Sequence, residues 1–134
     1  MIPTRLHAAL DAASAMALIA APRLLGWPDR LARPIAATGA AVAGYGLATR
    51  YDEDGSGLLS FRDHLVLDVV QGVGCCAAAI ALRDAPPAAR AFLGGYGLFS
   101  LAVVALTDGD GRGGGRVGRQ IPLTRDAIPA PIRG

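Results

Sequence analysis

Long apolar segments alternate with short polar ones along most of the chain. The apolar segments cover residues 6–25, 34–49, 65–82 and 88–107. A helix rises about 1.5 Å per residue, so about 20 residues span roughly 30 Å, the thickness of the hydrocarbon core of a membrane. The pattern predicts an all-α fold, an integral membrane four-helix bundle. A water-soluble four-helix bundle is the alternative, and it is disfavoured because no segment shows a sustained charged face.

The composition is typical of a membrane protein and argues against a nucleic-acid partner. The hydrophobic fraction is 52% and the mean hydropathy is +0.39, yet aromatic residues make up only 5%. Ala, Leu, Val and Gly therefore supply the apolar bulk, and small residues suit helices that approach closely within lipid. The net charge of +2 is too small to indicate a nucleic-acid partner. The expected partners are membrane lipid and other membrane-protein subunits, or further copies of this chain.

The chain repeats itself. Residues 5–11 and 62–68 share the pattern Arg-x-His-x-x-Leu-Asp, and the Gly-Tyr-Gly-Leu of residues 44–47 reappears at residues 95–98. These matches divide a four-helix domain, residues 1–108, into two tandem two-helix repeats, 5–52 and 62–108. Each repeat has two spans, so both enter the membrane from the same side, and we expect a pseudo-twofold axis along the membrane normal.

This arrangement resembles the bacterial SPW-repeat membrane proteins. Their units similarly open with a His and a Leu-Asp near the start of a span, and a short acidic loop joins the two units. The resemblance covers residues 5–108. It implies a small four-helix membrane protein, and it implies no particular activity.

Each repeat opens with a His–Asp pair. His7 and Asp11 are four residues apart, as are His64 and Asp68, so each pair shares one helix face. Ionisable groups within a span normally face the protein interior, where the pseudo-twofold axis can bring the pairs together. Hydrogen bonds that lock the bundle are one interpretation. Two imidazoles and two carboxylates are also suitable ligands for zinc or iron. A proton relay and a haem between the histidines are further alternatives.

The loop between the repeats, residues 52–63, resembles an EF-hand calcium loop. Gly57 occupies the sixth position, where the chain must turn sharply. The candidate calcium ligands are Asp52, Asp54, Ser56, Leu58 through its backbone carbonyl, Ser60 and Asp63. Asp63, at the twelfth position, is shorter than the usual bidentate Glu, which weakens the expected binding. Calcium is thus one candidate cofactor, and a solvated turn without metal is the alternative.

The residues beyond the fourth segment have a different character. Residues 109–134 are rich in Gly, Arg and Pro and have too few apolar residues for a core of their own. Arg residues are slightly more frequent on the side of the termini, which favours both termini in the cytoplasm. We therefore expect a multi-pass protein of a bacterial inner membrane with a cytoplasmic tail.

These features favour a binding or structural function. No Ser or Cys nucleophile lies near a His with an orienting group, so the chain is predicted not to be an enzyme. The leading hypothesis is an accessory or scaffolding subunit of a larger bacterial membrane complex, because small-residue faces suit packing against other helices. The alternative is a metal-responsive membrane module that binds calcium in the 52–63 loop or a transition metal at the His–Asp pairs. Transport or proton conduction ranks last, because helices rich in Ala and Val offer few groups for a polar path.

Overall fold

Four helices in two antiparallel pairs form the fold. The computed structural model describes residues 1–51 and 56–107. Its helices are α1 (Thr4–Leu24), α2 (Asp29–Ala48), α3 (Phe61–Ala81) and α4 (Pro87–Leu106). α1 packs mainly on α2, and α3 mainly on α4, so we call α1–α2 the first unit and α3–α4 the second unit. The predicted all-α, four-helix architecture is confirmed.

A glycine turn separates α1 from α2. Gly26 has a φ of +65°, a left-handed conformation that a residue without Cβ adopts at little cost. The turn lets the Trp27 amide donate to the Pro22 carbonyl over 2.9 Å, which is the six-to-one bond of a Schellman motif. Trp27 then packs edge-to-face on Phe92 of α4, with ring centroids 5.5 Å apart. This turn therefore contacts the second unit as well as ending α1.

α2 begins before the apolar segment that predicts it. That segment starts at Pro34, but the helix starts at Asp29, with Pro28 as its N-cap. The acidic side chain of Asp29 in the first turn suits the positive end of the helix dipole. Pro34 consequently lies inside the helix, where it offers no N–H to the carbonyl four residues earlier.

The linker between the units contains a two-stranded parallel sheet, β1 (Thr49–Arg50) and β2 (Leu59–Ser60). α3 follows at once, four residues ahead of its apolar segment, because Ser60 caps it. The Ser60 hydroxyl oxygen accepts from the Asp63 amide over 3.1 Å and donates to the Asp63 carboxylate over 2.7 Å. Such a side-chain cap satisfies amides that a helix start leaves free.

The start of the chain pairs with the residue that follows α4. In the same way, the linker pairs with the residue that follows α2. Ile2 forms a parallel bridge with Thr107, and its amide donates to the Leu106 carbonyl over 2.8 Å. Leu59, which pairs with Thr49, lies five residues before the histidine of its unit, as Ile2 does. The segment that leads into each unit therefore pairs with the residue that ends the other unit.

One close helix crossing holds each unit together. A Cβ on Gly39 would lie 2.8 Å from the Ala15 carbonyl oxygen, and a Cβ on Gly97 would lie 2.5 Å from the Gly72 carbonyl oxygen. Only glycine permits such an approach. Gly39 and Gly97 each lie ten residues before the threonine that follows their helix. Equivalent positions of α2 and α4 are therefore 58 residues apart (97 − 39), and those of α1 and α3, judged from the two histidines, are 57 apart (64 − 7).

The matching Gly-Tyr-Gly-Leu segments do not occupy equivalent positions. Tyr45 lies four residues before the threonine that follows α2, whereas Tyr96 lies eleven residues before the threonine that follows α4. The residue equivalent to Tyr45 is Val103. The two tyrosines consequently bond different partners, since Tyr45 donates to Asp68 and Tyr96 accepts from Gln71.

Among the described helices, α3 and α4 are long and apolar enough to cross a membrane. α1 and α2 are less apolar than α3 and α4. Alanine supplies 8 of the 21 residues of α1, and alanine and glycine together supply 10 of the 20 residues of α2. The prediction of four candidate spans therefore holds for the second unit and not for the first.

A core of small and aliphatic side chains joins all four helices. It comprises Ala15, Leu18, Leu31, Ile35, Val42, Cys75, Ala89 and Leu93.

Candidate metal centre

The two predicted His–Asp pairs meet at the end of the bundle where α1 and α3 begin. His7 and Asp11 come from α1, and His64 and Asp68 come from α3. Each residue offers one ligand atom, and these four atoms all lie within 4.8 Å of one another. Both histidines are fully buried, whereas the side chains of Asp68 and Asp11 are 5% and 14% exposed. We call these four residues the His–Asp centre.

Four short contacts connect the imidazoles to the carboxylates. Nε2 of His7 lies 3.0 Å from Oδ2 of Asp68 and 3.4 Å from Oδ2 of Asp11. Nε2 of His64 lies 2.7 Å from Oδ2 of Asp11 and 3.2 Å from Oδ2 of Asp68. Each imidazole thus faces one carboxylate from each unit, and each carboxylate oxygen faces both imidazoles. The four atoms form a closed ring in which nitrogen and oxygen alternate.

Two threonine hydroxyls fix the far side of the imidazoles. Nδ1 of His7 lies 2.9 Å from Oγ1 of Thr107, and Nδ1 of His64 lies 2.8 Å from Oγ1 of Thr49. Each hydroxyl donates its only hydrogen to a carbonyl one turn earlier in the chain, over 2.7 Å for Thr107 and 2.6 Å for Thr49. It must therefore accept from the imidazole. Nδ1 carries a hydrogen in both histidines, and Nε2 is the atom turned toward the carboxylates.

The two carboxylates differ in the oxygen that faces away from the imidazoles. Oδ1 of Asp68 accepts from the Tyr45 hydroxyl over 2.6 Å. Among the described residues, no group donates to Oδ1 of Asp11, and the residue equivalent to Tyr45 is Val103. Asp11 instead borders an open groove between α1 and α2.

Aromatic rings enclose the His–Asp centre. The Phe61 ring lies 5.4 Å from that of His7, and the Tyr51 ring lies 5.5 Å from that of His64, measured between centroids. Such rings exclude water, and electrostatic interactions are stronger where water is excluded. Burial, together with the charges of the two carboxylates in the centre, raises the pKa of Tyr51 to about 12. The Tyr51 hydroxyl therefore keeps its hydrogen at neutral pH.

Two arrangements satisfy the donors and acceptors of the His–Asp centre. In the first, each Nε2 carries a second hydrogen, and two imidazolium groups donate to the two carboxylates. In the second, both Nε2 atoms and both Oδ2 atoms direct lone pairs at one divalent cation. Both arrangements are electrically neutral, which buried charges require in a medium of low dielectric constant.

The sequence patterns do not single out Thr49, Thr107 or Tyr45. The available signal is that each threonine directly follows an apolar helix. The imidazole partners, however, lie 15 residues away for Thr49 and 100 residues away for Thr107. Spacing along one helix cannot supply pairings of that kind.

The predicted calcium ligands are only partly described. Asp52 and Asp54 lie outside the described residues, so calcium binding by the 52–63 loop stays a prediction. The side chains of Ser60 and Asp63 bond each other at the start of α3. The predicted tail, residues 109–134, also lies outside the described residues.

Comparison with family models, curated proteins and solved structures finds no match. The resemblance to the SPW-repeat membrane proteins therefore stays a prediction. The chemistry of the His–Asp centre follows from its own residues alone.

Proposed function

We propose that this chain is a small membrane-embedded protein whose His–Asp centre binds one divalent transition-metal ion. One observation carries the proposal: each Nε2 can hold one hydrogen, but it faces two carboxylate oxygens at 2.7–3.4 Å. A central ion makes use of all four contacts. Bonds of about 2.0–2.1 Å to a tetrahedral zinc ion place each pair of ligand atoms about 3.3 Å apart. The four nitrogen–oxygen distances are close to that value, and all four ligand atoms lie within 4.8 Å of one another.

The donor set and its surroundings favour a transition metal over calcium. Calcium takes oxygen ligands, six to eight of them, whereas imidazole suits zinc, iron, copper and nickel. Metal-bound histidines usually donate their other ring N–H to a fixed acceptor, which sets the tautomer and the ring orientation. Thr107 and Thr49 are such acceptors for His7 and His64.

The number of ligands indicates a structural role for the metal. Four protein ligands close a tetrahedral site, whereas catalytic zinc sites keep one position for water or substrate. Two ligands come from the first unit and two from the second, so the ion would join α1 to α3. This agrees with the prediction of a non-enzymatic protein.

The distribution of charge supports a membrane location. In the described helices, no charged residue lies within residues 12–22, 34–49, 69–82 or 91–107. These stretches contain 11, 16, 14 and 17 residues and extend from about 17 Å to about 26 Å, and flanking Arg side chains can reach the interface from inside the hydrocarbon edge. The hydroxyls of Ser14 and Thr38 donate to carbonyls of their own helices, those of Leu10 and Pro34, which suits a solvent that offers no partners.

An exposed apolar face on α3 supports a location in lipid or against other subunits. Val66, Val70, Val73 and Ile80 are between 54% and 70% exposed and recur at helical spacing. Lipid covers such a face in an isolated protein, and another subunit covers it in the accessory-subunit role that we also propose. The size of the native particle in mild detergent distinguishes the two.

Metal analysis of the purified full chain tests the main proposal. After extraction in mild detergent and removal of metal with a chelator, we expect about one equivalent of zinc or cobalt to bind per chain. Cobalt in a tetrahedral site should add visible d–d absorption. His7→Gln and His64→Gln should each abolish tight binding, because each removes one ligand and leaves a size-matched amide.

Tyr96→Phe is the matched control, since it removes a half-buried hydrogen bond outside the His–Asp centre. It should bind metal like the unaltered protein. Folded wild-type protein that takes up no zinc, cobalt or iron, or a His64→Gln variant that binds as tightly as the wild type, would overturn the proposal. Protein that stays dispersed in buffer without detergent would remove the membrane location and leave the metal centre open to the same test.

A further inference from the structure

A pair of polar side chains lies halfway along the second unit. Gln71 is the middle residue of α3, about 15 Å from the start of that helix, and its side-chain amide donates to the Tyr96 hydroxyl of α4. Both residues are half-buried, and no charged residue lies within residues 69–82 or 91–107. In the proposed membrane location, the pair therefore lies near the centre of the hydrocarbon core.

The bond to Tyr96 does not satisfy the whole amide of Gln71. An amide side chain has a carbonyl oxygen and an NH₂ group, and only the NH₂ group has a partner among the described residues. No buried side-chain oxygen or nitrogen of those residues lacks a partner, so the unpaired Oε1 of Gln71 lies at the surface. Rotation of the amide by 180° exchanges the two groups and still leaves one of them unpaired. Hydrocarbon offers no partner to either group.

The first unit has different side chains at the equivalent positions. The offset of 57 residues between α1 and α3 aligns Gln71 with Ser14, and the offset of 58 residues between α2 and α4 aligns Tyr96 with Thr38. Both hydroxyls of the first unit donate to carbonyls of their own helices. The surface amide is therefore a feature of the second unit, whose helices are long and apolar enough to cross a membrane.

An exposed surface of α3 adjoins the amide. Leu67 and Gly74 lie one turn before and one turn after Gln71, and both are exposed. Val70, between them, is 64% exposed. A Cβ on Gly74 would meet nothing within 4 Å, and such small residues let helices approach closely within lipid. We call these four residues the α3 face.

We propose that the α3 face binds the α3 face of a second copy of this chain, with Gln71 opposite Gln71. Copies that enter the membrane in the same direction are related by a twofold axis along its normal, which places the two helix centres at the same depth. Amides are complementary in partial charge to one another. Nε2 of each copy keeps a second hydrogen beside its bond to Tyr96 and donates it to Oε1 of the other copy.

A lipid chain on the same face would leave the amide oxygen unpaired, so the amide favours a protein partner over lipid. The inference names the partner for the subunit role proposed above, and it rests on the proposed membrane location. It does not depend on a metal ion in the His–Asp centre.

Energy transfer between labelled copies in phosphatidylcholine vesicles tests this inference. Full chains that carry a donor or an acceptor dye at the N terminus are mixed and diluted over a range of protein-to-lipid ratios. The unaltered chain should follow a monomer–dimer equilibrium. Gln71→Leu keeps a similar volume and removes the amide, and we expect it to weaken dimerisation about tenfold, the factor that two hydrogen bonds between helices supply in a membrane. Gln71→Asn keeps an amide and should recover part of the loss.

Matched variants locate the contact. Gly74→Leu places a bulky side chain on the α3 face and should weaken dimerisation at least as much as Gln71→Leu. Gly95→Leu is its control on α4, because a Cβ at either glycine meets nothing within 4 Å in the chain itself. Ser14→Ala is the control at the position equivalent to Gln71. Both controls should dimerise like the unaltered chain.

Tyr96→Phe separates the contact between copies from the bond within the second unit. It removes the hydroxyl that Gln71 bonds and leaves the amide in place. Dimerisation should therefore persist in this variant.

An unaltered chain that stays monomeric at every ratio would overturn the inference, and so would Gln71→Leu and Gly74→Leu variants that dimerise like the unaltered chain. Circular dichroism checks that each variant keeps its helices, and metal content is measured on the same vesicles. A monomer that binds metal contradicts the dimer alone, whereas a dimer without metal contradicts the metal centre alone. A chain that does not enter the vesicles contradicts the membrane location and the dimer with it.

Discussion

The two units supply the same residue types to the His–Asp centre but surround them differently. In the second unit, Asp68 is 5% exposed and accepts a hydrogen bond from Tyr45. In the first unit, Asp11 is 14% exposed and borders a groove with small residues on its floor. Both oxygens of Asp68 are therefore bonded, whereas Oδ1 of Asp11 has no donor among the described residues.

This difference shows that some contacts must be the same in both repeats, whereas others can differ between them. The reciprocal contacts, in which each unit ends with a threonine that holds the other unit's histidine, need both copies to match. The surroundings of the carboxylates need no such match. Small residues at positions 8, 12, 43 and 46 therefore open the first unit without moving any ligand atom.

Removal of charge from each carboxylate in turn should give the largest difference between the units. Asp68→Asn should destabilise the protein by about 3–5 kcal/mol, because it leaves buried imidazoles without their partner. Asp11→Asn should cost less, since Asp11 is more exposed than Asp68 and accepts no bond from a tyrosine among the described residues. Unfolding by denaturant in detergent, followed through Trp27, measures both, because Trp27 packs on Phe92 across the units. Equal losses would show that the two carboxylates are equivalent.

Spacing along the chain predicts the parts of this structure that depend on a single helix. The four-residue interval within each His–Asp pair places both members on one face, and the repeat of that interval indicates that the pairs meet. Four apolar segments likewise predict four helices. These inferences need only the helical period and the cost of burying charge.

Contacts between separate elements are not available from spacing. The Tyr45–Asp68 bond joins α2 to α3, and the Thr107–His7 bond joins the two ends of the described chain. The Gly-Tyr-Gly-Leu match suggests that Tyr45 and Tyr96 are equivalent, but close backbone approach aligns Gly39 with Gly97 instead. The alignment of the repeats is thus decided by packing between helices.

The two helix crossings offer a second comparison, which tests packing and not charge. Gly97→Ala and Gly39→Ala should each destabilise the protein by about 1–3 kcal/mol, because an added methyl group overlaps the facing backbone. Gly97→Ala should cost more, since its Cβ would approach Gly72 to 2.5 Å against 2.8 Å for Gly39 and Ala15. Thermal unfolding in detergent measures both. Gly95→Ala, where a Cβ meets nothing within 4 Å, is the control and should show no loss.

Variants of the two tyrosines distinguish effects on the His–Asp centre from effects on the stability of the whole bundle. Tyr45→Phe should cost about 0.6–2 kcal/mol, the range for one hydrogen bond between helices in a membrane. It should also lower metal affinity by about tenfold, as the loss of an outer-shell partner does. Tyr96→Phe should cost a similar free energy of unfolding and leave metal affinity unchanged. Competition with a chromophoric chelator measures the affinity. A parallel fall in both variants would mean that metal uptake follows global stability and not the bond to Asp68.

The smallest change in stability is expected at Gly46, where an added methyl group causes no steric overlap. Gly46→Ala should stabilise the protein by about 0.5–1 kcal/mol, because alanine loses less backbone entropy than glycine within a helix and its methyl group meets only the Tyr51 hydroxyl at 3.6 Å. Gly44→Ala should stabilise it equally, for the same reason, and thermal unfolding of the two variants side by side makes the comparison. A destabilised Gly46→Ala beside a stabilised Gly44→Ala would indicate that the groove is already filled at that position. Equal gains would indicate that the space beside Asp11 is open at position 46 and that glycine there keeps it open at a cost in stability.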